Sequence, residues 1–211
     1  MILDHIKKTS LIDLLALITP CLILIGFSQK IGFYSSENIN AYWMISLFSP
    51  IDLMISSLEI YMYYLLALIY LEKVIVGKES LKMGLINSNL VLFGSFVGIF
   101  FVTDYAFKYY LYAASSLNLF ALAFFGNYSG KFVGLLGLML AAPAFAGLLD
   151  AGEIAIQKKP LVELDASLEN KNWYLLDKYS DKAILVSRHK GTNYFKIVEM
   201  KDIKFIESAA K

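Results

Sequence analysis

Apolar residues come in long runs up to about residue 150, and in short alternating runs after it. The run with the most internal pattern is Ile51–Lys73, IDLMISSLEIYMYYLLALIYLEK. It is long enough to cross a bilayer, yet Asp52, Ser56, Glu59, Tyr63 and Tyr70 recur in steps of four, three, four and seven. On one continuous helix these steps share a face, so the pattern predicts a polar stripe on an otherwise aliphatic cylinder. A carboxylate at bilayer depth costs at least a few kcal/mol unless it meets a partner or water, so the stripe is expected to face protein or a cavity. Such an acid is read either as packing glue or as part of a conduction or sensing path.

Four other apolar segments accompany it. The first runs from about Ser10 to Phe27, with Pro20 expected to kink it and Asp13 near one end. In the loop that follows, Tyr34, Tyr42 and Trp43 read as interfacial anchors. Ile45–Ser49 is too short to cross, and Pro50 opens the striped helix at a favourable first-turn position. Gly84–Thr103 carries Gly94 and Gly98 four apart, and Lys131–Leu149 carries Gly130, Gly134, Ala142 and Ala146 on one row. Small residues so spaced allow close helix contact. Residues 104–126 are crowded with tyrosines beside Asp104 and Lys108, which suggests an interfacial or re-entrant helix.

Lys7 and Lys8, the loop with Lys73, Lys78 and Lys82, and the exit with Lys158 and Lys159 are placed in the cytoplasm by the positive-inside rule. Both termini on one side require an even number of crossings. The expectation is therefore a membrane all-α bundle of about four transmembrane helices over residues 1–150. Five crossings would put the C-terminal region outside.

A polar exit over 151–160 ends at Pro160. Beyond it, in 161–211, WYLLDKYS, AILVSR, NYFKIVEM and IKFIE read as four short strands. Turns are expected at Ser180-Asp181 and Lys190-Gly191-Thr192. They predict a small antiparallel β domain, an SH3-like barrel or a meander. About fifty residues is near the lower limit for an independent core, so docking to the membrane part, to sister subunits or to a partner would help it.

Composition sharpens this picture. Of 211 residues, 58% are hydrophobic and 18% charged, and mean hydropathy is +0.59. Soluble domains average roughly 45–50% and about 25%. The chain is read as an integral membrane protein. A net charge of +1 gives no footprint for direct nucleic-acid binding. The single Cys21 cannot form an intramolecular disulfide.

The chemistry sought is missing from the sequence. His5 and His189 lack metal-ligand companions, SGKFVG lacks the phosphate-loop spacing, and no nucleophile has a base nearby. No enzyme, metal or cofactor is expected. Trp173, Arg188, His189 and Lys190 are the candidates for binding a protein partner. Three functions follow: an oligomeric membrane sensor or scaffold that recruits a soluble cytoplasmic protein, a small channel lined by Asp52 and Glu59, or an immunity protein against a membrane-active toxin.

The layout, a short multi-span region ending at Leu149-Asp150 and a small module from Trp173 to Glu207, resembles the membrane subunit of Kiwa-type bacterial anti-phage systems. That resemblance covers the order of the parts. It implies a homo-oligomeric inner-membrane sensor of phage attack that binds a soluble, nucleic-acid-binding effector.

Overall fold

The structure is a computed structural model that describes residues 11–75, 81–100, 106–152, 160–164 and 172–207. His5, Lys7, Lys8, Lys78, Asp104, Lys158 and Lys159 lie outside them, and so does most of the 151–160 exit. Helix α1 spans Leu11–Ser35 and runs on through Pro20. It continues well beyond the expected end at Phe27, because the polar Ser28-Gln29-Lys30 is flanked by apolar residues that keep packing. Tyr34, expected as an interfacial anchor, is instead fully buried in its last turns. A 3-10 helix, Tyr42–Leu47, follows.

The striped segment is not one helix. Ser49 caps α2, Pro50–Ser56, in a reciprocal capping box with Asp52, and Pro50 fills the first turn. Ser57 then leaves helical geometry (φ −106°, ψ 17°). Helix α3, Leu58–Tyr70, departs at 58° to α2 and ends in a π-helical turn, Leu71–Ile75.

Helix α4 is Leu81–Phe100 and α5 is Ala106–Phe125. They are antiparallel neighbours, since Phe96 meets Tyr110 while Asn89 and Asn118 exchange amide hydrogen bonds of 3.2 and 2.9 Å. In the segment expected to be interfacial or re-entrant, 104–126, α5 packs along α4. Tyr112 is buried against Tyr63 and Ala146, and Ser116, Leu117 and Ala121 are buried as well. The last pass is α6, Tyr128–Leu136, capped by Asn127, a π-helical turn Gly137–Ala141, and α7, Ala142–Gly152.

Glycines set the tightest contacts. A Cβ on Gly32 would sit 1.8 Å from the Ala144 carbonyl oxygen, and one on Gly147 would sit 2.0 Å from that of Gln29, so α1 and α7 touch backbone to backbone. Gly26 does the same against Leu53. From the expected rows, Gly134 meets the α5 backbone at Ala123, and Ala146 is buried. Gly130 meets its own Asn127 and Leu122, and Ala142 is half-buried. Gly94, expected in a helix contact, faces open space within the chain. Nothing is described around Gly98.

Among the described residues, one helical run is long and apolar enough to cross a membrane, Tyr128–Gly152. The bent pair Pro50–Ser56 plus Leu58–Lys73 passes the same test jointly. Only 28% of the first run's apolar window is buried within the chain, and Phe132, Val133 and Phe145 are at least half exposed. A soluble core helix would hide those side chains. Length and composition thus support membrane association with one or two crossings, and only weakly a bundle of four.

The C-terminal strands are β1 Leu161–Leu164, β2 Trp173–Tyr179, β3 Lys182–His189, β4 Thr192–Glu199 and β5 Ile203–Glu207. They form one antiparallel sheet in the order β4-β3-β2-β1-β5. β1 was not expected. Four residues between Pro160 and a polar stretch carry too little pattern, and pairing with both β2 and β5 supplies the rest. The expected turns are present, and Lys190 (φ 49°) and Gly191 (φ 81°) take the left-handed conformations a two-residue hairpin needs. β4 and β5 are both edges, so the sheet is not a closed barrel.

Candidate functional site

Helices and sheet share one core. Ile184, Val186, Leu176 and Tyr179 from one sheet face pack with Tyr34, Ile39, Met44, Phe48 and Leu53. Ala183 and Leu185 point the other way, into a second cluster with Val162, Leu164 and Trp173. Interior strand β3 is therefore apolar on both faces, and alternation vanishes from its sequence.

The polar joint in this core is the candidate site. α1 brings Lys30 and Tyr34 to β2. Lys30 Nζ lies 2.6 Å from Asp177 Oδ2, with the two side chains 10% and 16% exposed, and Tyr34 Oη donates to the same oxygen at 2.7 Å. The Phe48 ring lies under the ammonium, 4.7 Å from it. A desolvated pair is tolerable with such added partners, and a lone charge there is not. Asp177 Oδ1 accepts from the Lys178 amide.

A second set of bonds holds the rim. Arg188 Nη2 donates to the Asn38 carbonyl at 2.6 Å and its Nε to Asn193 Oδ1 at 2.8 Å. Asn193 Nδ2 reaches the same Asn38 carbonyl at 2.8 Å. Asn38 in turn donates to the Ala151 carbonyl at the end of α7. On the other flank, Asp52 Oδ1 accepts from the Ser180 amide at 2.8 Å. Asp52 Oδ2 accepts from the Ser49 amide at 3.0 Å and from the Ser49 hydroxyl at 2.6 Å, so both carboxylate oxygens are engaged.

The stripe is thereby split. Asp52 serves the capping box and the sheet. Ser56 Oγ bonds back to the Leu53 carbonyl. Tyr63 meets Tyr112 edge to face, and Tyr70 meets Ser88 across to α4. Glu59 is exposed in the first turn of α3, where the helix dipole favours a carboxylate. The shared face required an unbroken helix, and the Ser57 break removed it.

Of the partner-binding candidates, Trp173 is corrected: it is 5% exposed, a core residue of the second cluster with Lys196 over its ring. Arg188 is engaged within the chain, while His189 and Lys190 are exposed at the β3–β4 turn. Sequence reasoning missed Lys30, Tyr34 and Asp177. The available signal was a lysine four residues before a tyrosine at the end of an apolar run, and an aspartate inside a strand pattern. Among the described residues, no group of three His, Cys, Asp or Glu could hold a metal ion.

No protein-family model, curated protein or solved structure matches this chain.

Proposed function

We propose that the chain is a membrane-embedded sensor or scaffold of a bacterial inner membrane, oligomeric, whose helices hold the C-terminal sheet for a soluble cytoplasmic protein. The order of its parts resembles that of Kiwa-type membrane subunits, and on that resemblance anti-phage defence is the setting we favour. The observation that carries the proposal is the Lys30–Asp177–Tyr34 joint. It fastens the sheet to the end of a long apolar helix through one buried ion pair, so a displacement of α1 is felt in β2.

Oligomerisation enters through Glu59. Its neighbours Leu58, Met62 and Leu66 are all more than half exposed, and a carboxylate among them is costly in lipid. A neighbouring copy would cover it. The pore alternative draws no support from this arrangement, because Asp52 is spent on Ser49 and Ser180.

In the same proposal all five helical passes lie in the bilayer. The sheet docks at the end of α1, so a cytoplasmic sheet implies that the start of α1 lies across the membrane. This departs from the even-numbered arrangement and sets the loop with Lys73 and Lys82 across the membrane from the sheet, against the positive-inside expectation. The test is the oligomeric mass of the detergent-solubilised chain together with the identity of whatever copurifies. The expected result is an oligomer holding one soluble protein, with Asp177→Ala altering that capture while leaving insertion intact. A monomer whose Asp177→Ala variant captures the same proteins as the parent would end this reading.

A further inference from the structure

α4 leans on α5 and meets α3 through Tyr70 and Ser88. Between the three helices runs a groove of about 480 Å³, within the size range of small-ligand sites. Its wall is apolar, with small side chains at Ala67 and Ala113 leaving the space, and it opens sideways past Val91. The polar atoms on α4 are already used. Ser88 Oγ donates to the Gly84 carbonyl at 2.7 Å, so the Tyr70 hydroxyl donates to Ser88 at 3.2 Å. Among the described residues, one charged side chain lines the groove, Lys73, exposed at the end away from the sheet. From Tyr63 to Lys73 the α3 wall rises about 15 Å, which is half of a hydrocarbon core of roughly 30 Å.

We propose that this groove binds one acyl chain of an anionic phospholipid, with Lys73 pairing with the headgroup phosphate at the membrane boundary. The assignment rests on the reading that these helices lie in the bilayer. A wall with its hydrogen bonds closed offers a polar ligand nothing. A cleft one leaflet deep with a cation at its mouth matches a lipid tail and its phosphate. Occupancy would also prop α4 against α3 where the protein itself leaves a gap.

The test is native mass spectrometry of the full chain in micelles doped with equal amounts of dioleoylphosphatidylglycerol and dioleoylphosphatidylcholine. The expected result is one retained lipid per chain, with the anionic phosphatidylglycerol favoured about fivefold over the zwitterionic phosphatidylcholine. Lys73→Gln should bring the two lipids level while keeping one bound. Ala67→Phe should remove the bound lipid, and so should Val91→Trp, which fills the groove from its exposed rim and leaves the packed helices alone. Equal retention of both lipids by the parent chain, or an undiminished lipid in both filled variants, would overturn the proposal. Release of the chain from membranes by carbonate washing would instead sink the bilayer reading beneath it.

Discussion

Asp177 accepts two donors on one oxygen, and that arrangement makes it the most sensitive side chain in the molecule. Asp177→Ala leaves the Lys30 ammonium buried over Phe48 without a counter-charge, which costs about 3–5 kcal/mol. The double variant Lys30→Met/Asp177→Leu removes both charges and should recover most of that loss, as read by thermal unfolding in detergent. If the double variant is as unstable as the single one, the ion pair is not what joins helix and sheet. Asp52 gives the counterpart on the other flank. Asp52→Ala removes the acceptor of the Ser180 amide and should speed hydrogen exchange at that amide, whereas an unchanged rate would show that this bond does not hold the β2–β3 turn. None of these partners could be paired from the sequence, because Lys30 and Asp177 are 147 positions apart.

At the scale of elements, backbone approach decides which glycines matter. Gly147→Ala would push a methyl into the Gln29 carbonyl and force α1 and α7 apart, with a loss on the order of 1–3 kcal/mol from overpacking. Gly94→Ala meets nothing and should raise stability by up to about 1 kcal/mol through helix propensity. Melting temperatures of the two variants, side by side, check the ranking. Spacing alone had marked Gly94 and Gly134 alike, since a four-residue step shows that a face is smooth and not what lies against it. The same gap in local information explains the broken stripe. Ser57 carries no proline or glycine to announce a bend, and the break follows from α2 docking on the sheet while α3 turns to meet α5. The strands from Trp173 to Glu207 were legible because β-branched and aromatic runs between turn residues are local signals. β1 was not, because its partners lie in β2 and β5.

For the molecule as a whole, the exposed apolar belt and the sheet at one end make accessibility the deciding measurement. With Cys21 replaced, a cysteine at Gly191 should react with a membrane-impermeant maleimide from the cytoplasmic side. One at Ile12 should not. A Gly191 cysteine that reacts from the outside would reverse the proposed orientation. The amino-acid order by itself determined helices first and strands after: long apolar runs favour helices, and short alternating runs between turns pair as a sheet. Tertiary structure decided where the ionisable groups go. Burial of Lys30 with Asp177, exposure of Glu59 and the inward turn of Tyr112 depend on which elements meet, and a meeting of distant segments leaves no trace in local periodicity.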